Sequence, residues 1–162
     1  MSVQCQTSTI RVVVAEGNPE YRELLAEELR LAPDLEVTGE ARDGREAIVA
    51  VGRLDPDVLA LDMDLPGMPG LEILHMVAWY SPRTKVIILS GQGEEATVLE
   101  ALKQGAKGYI IKGDGTGLAK AIRAVHRGEV WARRRMMALV IEELIRLVNL
   151  QPSTTASEPA LP

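Results

Sequence analysis

Asp62 stands where the apolar run Val58-Leu59-Ala60-Leu61 gives way to Met63-Asp64-Leu65-Pro66-Gly67-Met68-Pro69-Gly70, so a carboxylate marks the junction between a hydrophobic segment and a Pro/Gly turn. A carboxylate held there can attack phosphorus, forming an aspartyl phosphate that splits one phosphoryl transfer into two steps. It can equally cap the turn through its side-chain oxygens. Three other apolar runs end on polar groups of a matching kind: Ala15 leads into Glu16-Gly17, Leu89 into Ser90-Gly91, and Ile111 into Lys112-Gly113. Each has a task in phosphoryl transfer. Acids hold Mg²⁺, which prefers oxygen ligands and bridges phosphate oxygens. Ser90 can donate to a phosphoryl oxygen, Gly91 leaves space beside it, and Lys112 neutralises charge that develops during transfer. Taken singly, Glu16 and Lys112 make a surface ion pair, Ser90 caps a helix and Gly91 serves a turn. The chemistry requires that all of them meet.

Five short apolar runs supply the elements that bring them together: Ile10 to Ala15, Leu35 to Ala41, Val58 to Asp62, Lys85 to Ser90 and Lys107 to Ile111. Several are nearly unbroken aliphatic stretches, the pattern of a parallel sheet covered on both faces. Between and after them lie helix-length segments, Pro19 to Leu31, Arg45 to Arg53, Leu71 to Tyr80, Glu94 to Gln104 and Leu118 to Arg127, with Pro33, Gly52, Pro82, Gly105 and Gly128 as stop signals. Strand and helix alternate five times, which predicts an α/β doubly wound fold with right-handed crossovers and functional loops at the strand C-terminal ends. Glu16, Asp62, Ser90 and Lys112 all fall at such ends.

The 162 residues allow one core and a tail. A net charge of -5 gives no basic field for a sequence-blind nucleic-acid binder. Cys5 is the single cysteine, so neither a disulfide framework nor a cysteine metal site forms within one chain, and a cytoplasmic location fits best. No apolar stretch is long enough to span a membrane, and the leader, residues 1–9, lacks the blocks of a signal peptide. His75 and His126 sit inside helical patterns and read as packed or surface residues.

The segment Trp131 to Leu150 repeats apolar residues at helical spacing over a wide face, with Arg133 to Arg135 solvating its start. It predicts an extra C-terminal helix that packs back on the domain, or one that also meets a partner chain. From Gln151 to Pro162 the chain turns to Pro, Ser, Thr and Ala without periodicity, the composition of a linker or disordered tail.

Over roughly Ile10 to Gly128 the sequence resembles the CheY-like receiver domains of response regulators. The phosphoacceptor block resembles Asp57 to Gly70, Ser90 matches the hydroxyl position, Gly105-Ala106-Lys107-Gly108-Tyr109-Ile110-Ile111-Lys112 matches the lysine block, and Tyr109 falls on the aromatic switch position. The opening Ile10-Arg11-Val12-Val13-Val14-Ala15 and the stretch Ala121 to Trp131 look most like the NarL/LuxR-type transcriptional regulators. The resemblance implies a flavodoxin-like five-stranded sheet in the order 2-1-3-4-5. It implies a receiver over residues 10–130, a helix over 131–150, and a linker over 151–162 leading to a DNA-binding output domain that this chain does not contain. It implies Asp62 as phosphoacceptor, Ser90 and Lys112 as its partners, Ser90 and Tyr109 as switch residues, Mg²⁺ as cofactor, a sensor histidine kinase as donor and a homodimer as product. The chain would not be an enzyme beyond its own phosphorylation and dephosphorylation.

One position departs from the pattern. The family carries two acids after the first strand, the second being the direct metal ligand, where this chain has Glu16 followed by Gly17. The metal site is then expected to be weak, relying on Asp62, the backbone carbonyl of Asp64 and Glu16 in place of the missing acid. A phosphorylation-independent pseudo-receiver, acting as a constitutive interaction module, is the competing expectation. A small cofactor-binding α/β protein is disfavoured, because Glu16-Gly17-Asn18-Pro19-Glu20 offers neither a Gly-x-Gly-x-x-Gly turn nor a Walker-type ending.

Overall fold

The computed structural model describes residues 8–91, 95–113 and 117–150. Most of the expected leader, with Cys5, and all of the expected tail from Gln151 lie outside them, as does Glu94, the expected first residue of the fourth helix. The chain divides into two compact units, Met1–Ala132 and Arg133–Pro162.

In the first unit five strands, β1 (Ile10–Ala15), β2 (Leu35–Ala41), β3 (Val58–Asp62), β4 (Lys85–Ser90) and β5 (Gly108–Ile111), form one parallel sheet in the order β2-β1-β3-β4-β5. The helices α1 (Pro19–Arg30), α2 (Gly44–Leu54), α3 (Gly70–Tyr80), α4 (Glu95–Lys103) and α5 (Leu118–His126) alternate with them. This is the doubly wound, flavodoxin-like arrangement expected from the sequence. Every residue of β3, the central strand, is buried. Val12 and Val14 of β1, Ala60 of β3 and Leu89 of β4 cluster with Leu25 and Leu29 of α1 and with Ala121, Ile122 and Val125 of α5. Residues of opposite parity face the other way. There Gly39 lies beside both Leu54 of α2 and Val13 of β1, and α2 packs on α3.

Local chemistry sets the helix ends. Asn18 caps α1, its side-chain oxygen accepting the Tyr21 N–H at 3.0 Å, with Pro19 at the first helical position. Asp43 caps α2 in the same way, accepting the Glu46 N–H at 2.8 Å. The expectation that Gly52 stops α2 is corrected: the helix runs through it to Leu54 and ends at Asp55, whose left-handed conformation (φ 44°) lets its N–H close onto the Val51 carbonyl at 3.0 Å. Gly105 and Gly128 do stand past their helix ends at positive φ, 108° and 92°.

A second correction concerns Trp131. It does not begin the last helix; it bridges to Gly108, exchanging backbone hydrogen bonds with Lys107 (2.9 Å) and Tyr109 (3.0 Å) along β5. Helical spacing in the sequence did not reveal that this edge needs partners for its backbone N–H and C=O groups. In the second unit, α6 runs from Arg134 to Leu150 and exposes Ile141, Leu144, Ile145, Leu147 and Val148. Among the described residues no helix is long and apolar enough to cross a membrane.

Candidate functional site

The parallel register makes the strand ends level. Ala15 pairs with Leu61, Asp62 with Leu89, and Ser90 with Ile111, so the residues that follow or end β1, β3, β4 and β5 emerge at one edge of the sheet. Glu16 is held there by its own N–H, which donates to the Ala41 carbonyl at 3.0 Å and continues the β1–β2 ladder. The Lys112 N–H donates to the Ser90 carbonyl at 2.7 Å and does the same between β5 and β4.

The side chains of Glu16, Asp62 and Lys112 converge there. Glu16 is 1% exposed, Asp62 3% and Ser90 7%. Lys112 Nζ lies 3.0 Å from Asp62 Oδ1 and donates a hydrogen bond to Glu16 Oε1, also at 3.0 Å. Its approach to Glu16 Oε2, 2.8 Å, is an ionic contact without hydrogen-bond geometry, and Oε2 is a buried oxygen with no donor of its own. The Asn18 N–H donates to Glu16 Oε1 at 3.1 Å, the Asp64 N–H to Asp62 Oδ1 at 2.9 Å, and the Gly17 N–H reaches Asp62 Oδ2 at 3.5 Å. Asp64 itself has an exposed side chain.

Burial raises the Glu16 carboxyl above its ordinary pKa, only partly countered by Lys112 and by the Asn18 N–H. Burial works against the Lys112 ammonium as well, but its contacts with Glu16 and Asp62 outweigh that and hold its pKa above the ordinary lysine value.

Of the four strand-end residues read from the sequence, Glu16, Asp62 and Lys112 meet through their side chains, and Ser90 ends β4 at the same edge of the sheet. Tyr109 is buried in β5. Its neighbour Ile110 packs toward the cluster formed with α1 and α5, so Tyr109 faces the opposite side of the sheet. Around Gly91 an added methyl group would meet none of the described residues within 4 Å.

Two neighbours were not singled out from the sequence. Tyr21 presents its ring to Lys112 Nζ at 5.5 Å from the centroid, within cation–π range. Arg22 donates from Nη1 to the Glu16 carbonyl at 2.8 Å. Both follow the Asn18 cap on the first turn of α1.

A divalent cation needs several convergent oxygens. Among the described residues no group of three His, Cys, Asp or Glu side chains is placed to hold a metal ion. Glu16 Oε1 and Asp62 Oδ1 already accept from backbone N–H groups and face Lys112, and Glu16 Oε2, buried without a hydrogen-bond donor, has the ammonium 2.8 Å away. The residues present fit a resident Mg²⁺ poorly.

With this geometry, comparison with known proteins decides the family. The profile of the response regulator receiver domain matches residues 12–123. The chain belongs to the response regulator receiver family. It is 36% identical over 155 residues to the transcriptional regulatory protein NarL of Mycobacterium tuberculosis, an alignment covering 94% of this chain and 72% of the relative. It is 31% identical over 150 residues to the transcriptional regulatory protein DegU of Brevibacillus brevis, covering 92% of this chain and 64% of that protein. The signal receiver domain of NarL from Mycobacterium tuberculosis superposes with a TM-score of 0.71 at 36% identity, covering 75% of this chain and 99% of that one. The isolated receiver domain of RcsB from Salmonella enterica, at 23% identity, shares the fold with a TM-score of 0.74, over 82% of this chain and 99% of that one. This is thus a two-component receiver of NarL/LuxR type, a regulator rather than a metabolic enzyme.

Proposed function

We propose that the chain is a phosphorylatable switch with Asp62 as its acceptor. The observation that supports this most is the placement of Asp62: a buried carboxylate ending the central strand, 3.0 Å from Lys112 Nζ and paired with Leu89, the residue before Ser90. The donor is the phosphohistidine of a sensor histidine kinase. One Asp62 oxygen attacks phosphorus, the phosphorus–nitrogen bond breaks, and the imidazole leaves with the electron pair and takes up a proton. The product is an acyl phosphate on Asp62.

Lys112 stabilises the charge on the transferring group, and the Ser90 hydroxyl donates to a phosphoryl oxygen. The new charge draws Ser90 and Lys112 inward, and Tyr109 turns toward the space vacated, a local charge event biasing a two-state element. The face made by α4, β5 and α5 then changes its affinity for partners. In the full regulator this controls dimerisation and, through a LuxR-type helix-turn-helix output outside this chain, DNA binding in the cytoplasm. Residues 10–130 form the receiver, α6 the connector, and 151–162 the linker to that output. Any Mg²⁺ would have to rely on Glu16, Asp62 and the Asp64 carbonyl, a donor set too poor to hold it as a resident ion.

The test is the backbone amide NMR spectrum before and after a small phosphodonor. Shifts at Ser90, Tyr109 and Lys112 in wild type but not in Asp62→Asn are expected. Unchanged spectra, or the same shifts in the variant, overturn the assignment.

A further inference from the structure

The carboxylates of this site are matched by a cation that belongs to the chain. Lys112 Nζ stands 3.0 Å from Asp62 Oδ1, 2.8 Å from Glu16 Oε2 and 3.0 Å from Glu16 Oε1, with the face of Tyr21 behind it. Backbone donors point at the same two carboxylates: Asn18 N–H and Lys112 share Glu16 Oε1, Asp64 N–H and Lys112 share Asp62 Oδ1, and Gly17 N–H faces Asp62 Oδ2. A divalent ion entering here would find two side-chain carboxylates, an ammonium between them, and Gly17 where a third oxygen ligand would have to stand.

Mg²⁺ requires near-octahedral oxygen coordination and gives up its water reluctantly. To be held it would have to displace Lys112, and a displaced Lys112 would lose its compensation for burial. We infer that Lys112 is the resident cation of this receiver: it takes the position between Glu16 and Asp62, and the pocket receives its anionic ligand on the lysine without a divalent-ion site of ordinary strength. Only the identity of the anion rests on the phosphoacceptor reading.

Gly17 is the position through which this can be reversed. Its φ is not in the left-handed region, and an added Cβ would meet Pro66 Cδ at 3.1 Å and the Arg42 carbonyl at 3.7 Å. Pro66 is exposed and can give by the few tenths of an ångström needed. An aspartate at 17 therefore fits and supplies the third carboxylate.

The experiment is calorimetric titration of the whole chain with MgCl₂, paired with Mn²⁺-induced broadening of the Glu16, Asp62 and Lys112 amides, without any phosphodonor. Wild type should show no saturable uptake up to about 10 mM, an order of magnitude beyond the weak end of protein cation sites. Gly17→Asp should bind at least about tenfold more tightly, and Lys112→Met, where it folds, should also gain affinity because the position is vacated. Saturable uptake by wild type anywhere below about 10 mM, or no tightening in Gly17→Asp, overturns the inference. Failure of Asp62 to take up a phosphoryl group would overturn the acceptor reading while leaving these titrations to decide the cation.

Discussion

The Ser90 carbonyl accepts the Lys112 backbone N–H at 2.7 Å, so the candidate hydroxyl donor and the candidate ammonium are joined through the main chain where β4 and β5 end. A displacement of either one pulls on the other, and this gives a physical path by which a charge on Asp62 reaches both strands. Because the bond uses the backbone, it survives changes in the Ser90 side chain.

Ser90→Ala should therefore keep the fold, with a change in unfolding free energy of about 1 kcal/mol or less. It should weaken the Tyr109 amide response to a phosphodonor while leaving uptake at Asp62 detectable. Denaturant unfolding and the NMR response check the two halves separately; an undiminished Tyr109 response would remove Ser90 from the switch.

Lys112→Ala leaves two buried carboxylates without their counter-charge. Breaking a buried pair in this way should cost about 3 kcal/mol in urea unfolding. Adding Glu16→Gln removes one of the stranded charges and should return part of the loss. A single variant as stable as wild type would show that the pair is not coupled to folding.

Gly108→Ala tests the correction at β5. A Cβ there would lie 2.9 Å from the Trp131 carbonyl oxygen and 3.0 Å from its Cβ, so the bridge must open or the strand must shift. The expected loss is about 1–3 kcal/mol, the usual range for overpacking. Trp131 fluorescence should move to longer wavelength as the indole gains water; unchanged emission and stability would contradict the close approach.

Glu46 gives a pH dependence with a defined sign. Its carboxylate accepts from Arg42 Nε, Nη2 and backbone N–H, and Arg42 lowers its pKa from 4.5 to about 2. A folded pKa below the unfolded one means that the contribution is complete above about 4.5 and is lost as pH falls through about 2. Glu46→Gln should be less stable than wild type at neutral pH, with urea midpoints converging toward pH 2. The pair is exposed, so high salt should also narrow the gap. Parallel midpoints across the pH range would rule out the linkage.

The order of strands and helices was legible because burial on both faces leaves strand sequences such as Val58-Leu59-Ala60-Leu61 almost continuously aliphatic. The gathering of Glu16, Asp62, Ser90 and Lys112 at one edge of the sheet was legible for the same reason, since parallel strands in register must bring their ends together. What the sequence did not show depends on backbone conformations and long-range contacts. Asp55 ends α2 by taking a left-handed conformation that a glycine three residues earlier seemed better suited to supply. Trp131 pairs with β5 instead of entering α6, and Tyr21, on the first turn of α1, backs the Lys112 ammonium. The contact of one ammonium with two carboxylates comes from side-chain placement across β1, β3 and β5, which no local pattern encodes.

The central claim is that Asp62 accepts a phosphoryl group. Intact-mass analysis after incubation with a small phosphodonor in excess magnesium tests it most directly, on wild type and on Asp62→Asn in parallel. The account predicts one phosphoryl adduct on wild type and none on the variant. No adduct on wild type, or an equal adduct on both, would contradict it.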